Sequence, residues 1–172
     1  AIRDLGSFLE DLRQRHDFFH SLGCRLSDHG LSQCYADFPT EKVAAAIFAK
    51  ARRGRPISPD EQAQFASFMM LFFGRLDAEK GWVKQLHLGA LRNNNTRLLK
   101  QIGPDTGFDS IGDWPQAAAL SAYLNRLDLD NALPKTILYP INPADNYMFG
   151  TMIGNFQDGT IPGKVQFLSL IH

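Results

Sequence analysis

The run Trp82-Val83-Lys84-Gln85-Leu86-His87-Leu88-Gly89 decides the fold. Ahead of it, Phe65, Phe68, Met69, Phe72 and Leu76 recur at helical spacing. Within it the pattern switches to alternation with period two, the mark of a strand. Behind it come the polar run Arg92-Asn93-Asn94-Asn95-Thr96-Arg97 and a turn-rich stretch from Gly103 to Gly112. A helix leading into a short strand that ends on polar groups is the unit of parallel α/β architecture. In such folds functional residues gather on the loops beyond the carboxyl ends of the strands.

Working outward from this unit, the same alternation of helix and strand covers nearly the whole chain. The apolar positions Ile2, Leu5, Phe8, Leu9, Leu12, Phe18 and Phe19 predict a helix over residues 2–21, stopped by Gly23. Cys24-Arg25-Leu26-Ser27-Asp28-His29-Gly30 then runs from apolar into polar residues, as a buried strand does at its carboxyl end. Helices are predicted over 39–53 and from Ser58-Pro59-Asp60-Glu61, which supplies an N-cap, a proline at the first helical position and an acidic first turn. Residues 39–80 are therefore read as a helical insertion. Further on, 115–127 reads as a helix, 135–139 as a strand, 143–153 as a helix and 164–168 as a strand. About four parallel strands alternate with helices in one domain over 1–172, because parallel neighbours are joined by crossover helices. Four strands are too few for an eight-stranded α/β barrel. The apolar end Leu168-Ser169-Leu170-Ile171-His172, with no helix to cover it, favours a piece of such a barrel over a complete small sheet.

Composition narrows the function. The 172 residues carry 18 Lys+Arg against 18 Asp+Glu, with 44% hydrophobic and 21% charged residues, an ordinary globular balance. Zero net charge removes the usual argument for nucleic acid or an anionic membrane as partner. No apolar run approaches the roughly 20 residues of a membrane helix. The two cysteines, Cys24 and Cys34, have no metal-ligand spacing, and the chain opens on Ala1-Ile2-Arg3-Asp4-Leu5 rather than a charged-then-apolar leader, so a reduced, cytoplasmic location is expected.

Two segments place unusual polar groups at strand ends: Arg25-Leu26-Ser27-Asp28-His29-Gly30 and His87-Leu88-Gly89-Ala90-Leu91-Arg92-Asn93-Asn94-Asn95. Together they bring a carboxylate, two imidazoles, a guanidinium and a row of amides toward one rim. That set suits a polyhydroxy acid: the guanidinium holds a carboxylate, amides hold hydroxyls, and Asp or His moves a proton next to a carbonyl. The bland alternative is that Asp28 caps a turn, His29 is a satisfied surface group, and Asn93 to Asn95 are loop residues in left-handed backbone. Other signals are weaker. His16 and His20 have the spacing of a zinc pair but no third ligand, and Ser27-Asp28-His29 is no catalytic triad because neighbours on a strand face opposite ways. Lys50, Arg52, Arg53 and Arg55 suit the carboxyl end of a helix, solvated, rather than a phosphate. Asn94-Asn95-Thr96 matches a glycosylation acceptor that matters only after secretion. Gly103-Pro104-Asp105-Thr106-Gly107 lacks the Gly-Lys-Ser/Thr of a nucleotide loop.

At these residues the chain resembles the uronate (glucuronate) isomerase family of the amidohydrolase superfamily. The similarity runs through Phe18-Phe19-His20, Gly23 to Gly30, Leu86 to Thr96, Gly103 to Asp113, Leu133 to Tyr139, Met152 to Phe156 and Gly163 to Phe167. The resemblance implies the middle of a distorted (β/α)8 TIM barrel, about strands four to seven. It also implies interconversion of D-glucuronate with D-fructuronate and of D-galacturonate with D-tagaturonate in uronate catabolism. Carried over, Asp28 and His87 match catalytic positions and Arg92 a substrate-binding one, pairing with the hexuronate carboxylate. The family uses a divalent metal, zinc, whose ligands on the first and eighth strands are absent here. The expectation is thus a truncated isomerase, inactive alone, that covers its open barrel edges by pairing with a second copy. The alternative is a non-catalytic α/β protein that binds sugar acids or serves as a scaffold.

Overall fold

The computed structural model describes residues 2–168. Helix α1 spans Leu5–Ser21, later than the apolar pattern alone suggests. Asp4 caps it, its side chain accepting from the Ser7 backbone while the Ser7 side chain returns the bond. Strand β1 spans Leu26–Leu31, α2 Glu41–Arg52 and α3 Pro59–Lys80. Helix α3 carries the predicted capping box of Ser58 and Glu61, and ends at Gly81, whose φ of +66° is the left-handed conformation that closes many helices. Strand β2 is Val83–Leu88 and helix α5 is Gln116–Leu129; strand β5 is Thr136–Pro140 and strand β6 Val165–Phe167. Residues 39–80 thus form the connection from β1 to β2.

Two regions differ from the sequence expectation. Between β2 and α5 the chain forms β3 (Ala90–Leu91), α4 (Thr96–Ile102) and β4 (Ser110–Ile111), where only loop is expected. A helix of seven residues and two-residue strands are too short to show a period. The predicted helix over 143–153 divides into a 3₁₀ turn at Pro143–Asp145, α6 over Asn146–Met152 and a second 3₁₀ turn at Ile153–Phe156. Gly150 and Gly154 are poor helix formers there. The apolar end expected to extend the last strand lies, beyond Leu168, outside the described residues.

The main sheet has the order β1-β2-β5-β6 and is parallel throughout, so the expected four strands alternating with helices are present. Side chains alternate across it. Leu86, Leu88, Leu138 and Val165 turn to the helices and join Met70, Leu71, Leu120, Tyr123, Leu124, Leu127 and Phe149 in one core. Full burial of each such side chain contributes about 1.5–3 kcal/mol. Helices α3 and α5 pack closely at Gly74, where a Cβ would come within 2.7 Å of the Leu127 side chain. Of the residues of opposite parity, Asp28, Gln85, His87, Ile137 and Gln166 remain half-buried or exposed, while Tyr139 is buried. One face of the parallel sheet is therefore open, whereas such sheets are ordinarily covered on both.

Candidate active site

Strand register assembles the site on that open face. Gly30 is level with His87, and His87 with Tyr139. Asp28 lies one pleat back on the same face of β1, and its Oδ1 is 3.2 Å from Nε2 of His87. The other side of the imidazole stacks on Tyr139, with centroids 4.5 Å apart and planes 7° from parallel. A carboxylate on one side and an aromatic face on the other leave His87 little freedom to rotate.

Arg92 arrives by a different route. After β2 the chain turns at Gly89, whose φ of +119° is a backbone conformation that side-chain-bearing residues rarely adopt. It then forms an antiparallel hairpin in which Ala90 pairs with Ile111 and Leu91 with Ser110. Gly89 accepts from Gly112 at 2.7 Å, and the side chain of Asn142 donates to the Gly112 carbonyl at 3.3 Å, which ties the hairpin to the loop after β5. Arg92 and Asp109 follow as the next pair beyond the ladder, joined at 2.5 Å. The result is a cleft of about 820 Å³ lined by Asp28, Gly30, His87, Arg92, Asp109 and other residues. The backbone N–H of Asn93 and then the Arg92 guanidinium hold the Asp109 carboxyl below the usual carboxylate range.

The three residues singled out for the site, Asp28, His87 and Arg92, thus border one cleft. Two other parts of the expected rim are absent from it. His29 turns to the opposite face of β1, where its ring meets Phe73 at 5.3 Å, because adjacent strand residues alternate. The asparagines serve the backbone instead of a ligand. Asn93 adopts φ +59°, Asn94 donates to the Leu91 carbonyl at 2.9 Å, and Asn95 accepts from Leu98 N–H at 3.1 Å as the N-cap of α4. Asp28 caps no turn; its partner is His87. Asp109 was missed as a site residue, since only its hairpin pairing with Arg92 brings it to the cleft.

A second polar network occupies the helix face of the same strands. Asp77 of α3 receives Lys84 Nζ at 2.7 Å and Ser27 Oγ at 2.7 Å, with His16 Nε2 at 3.2 Å. Lys84 and Asp77 are each 1% exposed. Burial pulls the Lys84 ammonium below its ordinary range, and the Asp77 charge opposes that shift. The parity of Lys84 with Leu86 and Leu88 was the available signal: a lysine on the core-facing positions of a strand needs a buried partner. His29 lies beside this network. Burial first, and then Lys84, lower its imidazole to about 4, and its Nε2 is buried without a hydrogen-bond partner.

The remaining sequence candidates have structural partners. His16 stacks on Trp82 at 3.9 Å, and His20 Nδ1 accepts from the Trp82 indole at 2.8 Å, so both rings engage the same tryptophan. Lys50 binds Glu61 at 2.7 Å, and Arg52 donates to the Arg3 carbonyl. Gly103 and Gly107 take φ of +86° and +94° in the turn after α4. Among the described residues no group of three His, Cys, Asp or Glu side chains is placed to hold a metal ion. Asp28 and His87 offer two donors without a third, which does not complete a site for a divalent metal.

Comparison with known proteins identifies the family and the fold. The family model for glucuronate isomerase (UxaC) matches residues 1–169. The uronate isomerase of Solibacter usitatus is 62% identical over 166 residues, covering 96% of this chain and 36% of that protein. That of Opitutus terrae is 65% identical over 166 residues, covering 96% and 35%. Among solved structures, uronate isomerase from Thermotoga maritima superposes with a TM-score of 0.86 at 33% identity, covering 95% of this chain and 35% of that one. Glucuronate isomerase from Caulobacter crescentus gives 0.82 at 25% identity, covering 95% and 33%. The chain spans about a third of the length of these relatives.

Proposed function

The chain belongs to the glucuronate isomerase family, and on that premise we propose that it supplies one wall of an aldose–ketose isomerase site for hexuronates. The observation that carries this reading is the convergence of Asp28, His87 and Arg92 on one cleft at the carboxyl ends of parallel strands. The substrates are D-glucuronate and D-galacturonate, and the products D-fructuronate and D-tagaturonate, within uronate catabolism in the cytoplasm. The strands are an arc of an amidohydrolase-type TIM barrel.

The chemistry moves a proton between the carbonyl carbon and the hydroxyl-bearing carbon beside it, while a proton shifts between their oxygens. Arg92 pairs with the substrate carboxylate, a contact that favours a planar fork over a point charge. His87 hydrogen-bonds the oxygens at the reacting carbons, oriented by Asp28 and Tyr139. Asp28 sits close enough to His87 to exchange a proton with it. A divalent zinc ion would polarise those oxygens in the family's reaction. The residues present do not complete its ligand set, and no step above depends on it. Alone, the chain binds hexuronate without turning it over, and its open sheet edges pair with a second copy.

The test is calorimetric titration of the purified chain with D-glucuronate and D-glucose, with light scattering and a zinc-supplemented isomerase assay on the same sample. Saturable binding of glucuronate, lost in Arg92→Leu and weakened in His87→Ala, supports the assignment. Equal binding in those variants, or none in the parent chain, overturns it. Turnover by the chain alone would show that it completes a site, and a monomer in solution would remove the pairing.

A further inference from the structure

Asp109 has no role in the function just proposed, yet it is held more firmly than any other carboxylate bordering the cleft. Its Oδ2 accepts from Nη1 of Arg92 at 2.5 Å and its Oδ1 from the backbone N–H of Asn93 at 2.9 Å. Asn93 presents that N–H from left-handed backbone, φ +59°. The carboxylate is thereby fixed by the hairpin as well as by the arginine. A second acid, Asp105, stands 3.9 Å from the same Nη1 and is largely exposed.

These bonds use one end of the guanidinium. The other end, Nη2, reaches over β1, 3.8 Å from where a Cβ on Gly30 would sit. Gly30 is level with His87 in the sheet, so this free end hangs over the strand position that faces the imidazole. We infer that Asp109 is a positioning residue that clamps Nη1 of Arg92, turns its Nη2 end into the cleft, and so sets the preference for carboxylate-bearing ligands over their neutral amides. The inference rests on the hexuronate reading of the cleft and deepens it.

Two effects of Asp109 on an incoming carboxylate oppose each other. Its charge repels the ligand, while its grip removes the rotamer freedom that an arginine on a hairpin would otherwise lose on binding. Arg92 is more than half exposed and Asp109 one-third exposed, so water and salt screen the repulsion. Screening leaves the geometric effect untouched. The Asn93 N–H also neutralises part of the Asp109 charge on the side away from the arginine. Positioning therefore outweighs repulsion, and the carboxylate of the ligand takes the free end of the fork.

The experiment compares the parent chain, Asp109→Asn and Arg92→Leu in titrations with D-glucuronate and with D-glucuronamide, its neutral amide. Asp109→Asn is expected to weaken glucuronate binding about tenfold and to leave the amide unchanged, moving selectivity toward that of Arg92→Leu. Tighter glucuronate binding, or equal loss for both ligands, overturns the inference and leaves the proposed function standing. Failure of the parent chain to bind either ligand overturns the proposed function instead. The side-chain nitrogen spectra of Arg92 then decide the positioning role without a ligand. Hindered rotation of the guanidinium in the parent chain, released in Asp109→Asn, supports it; free rotation in the parent chain refutes it.

Discussion

Lys84 and Asp77 meet at 2.7 Å in the core, each side chain 1% exposed, with Ser27 as a further partner of the same carboxylate oxygen. The pair lies beneath the strands that carry the candidate site, on their other face. Removing one partner strands the other charge away from water. Asp77→Ala is expected to lower stability by about 3–5 kcal/mol, whereas Asp77→Leu combined with Lys84→Met recovers most of that loss. Urea unfolding of the three chains measures it. A loss below about 1 kcal/mol in Asp77→Ala would mean that the ammonium finds water or another partner.

His29 gives the fold a pH dependence of definite sign. Its imidazole titrates at about 4 in the native chain against 6.5 when unperturbed, because burial disfavours the cation. Between those values the unfolded chain holds the proton and the native chain does not. Stability therefore falls as pH drops through this window, with a loss of about 2 kcal/mol at pH 5 relative to neutrality. Denaturant unfolding of the parent chain and His29→Leu at both pH values isolates the contribution. Parallel curves for the two proteins would show that His29 accepts its proton without penalty.

The stack of His87 on Tyr139, 4.5 Å between centroids and 7° from parallel, places the imidazole protons over an aromatic face. Ring-current shielding should displace the His87 ring signals upfield in proton spectra of the parent chain. Tyr139→Leu is expected to return them to ordinary positions, and Tyr139→Phe to preserve the shift. Ordinary positions in the parent chain would place the two rings apart and remove Tyr139 as a support for the site.

The larger part of this architecture was legible because long elements display their period. The alternation over Val83–Leu88 and the capping sequence at Ser58 located β2 and the start of α3 without reference to any contact. Asp28, His87 and Arg92 were legible as residue types at strand ends, and the family resemblance singled out the same three. What escaped depends on pairing across distance. The β3–β4 hairpin has two-residue strands, too short for alternation to register, so the partnership of Arg92 with Asp109 had no local sign. The asparagine row is polar for backbone reasons: left-handed turning at Asn93, a carbonyl contact by Asn94 and helix capping by Asn95. His29, a neighbour of Asp28 in sequence, lies on the opposite face of the strand, so its place beside Asp28 at a strand end does not bring it to the rim. The parity rule that dismissed Ser27-Asp28-His29 as a triad also excluded His29 from the site.

Strands β1 and β2 each serve two polar networks with alternate residues: Asp28 and His87 toward the cleft, Ser27 and Lys84 toward the helices. Deleting one residue between Lys84 and His87 would put the two on the same face, so that either a lysine turns outward or an imidazole is driven among leucines. Deleting two would restore the parity of what remains and shorten the strand. For this part of the chain, inheritance of insertions and deletions becomes a matter of odd and even. Length is held to a stricter standard here than composition, because a conservative replacement disturbs one network whereas a shift by a single residue exchanges both.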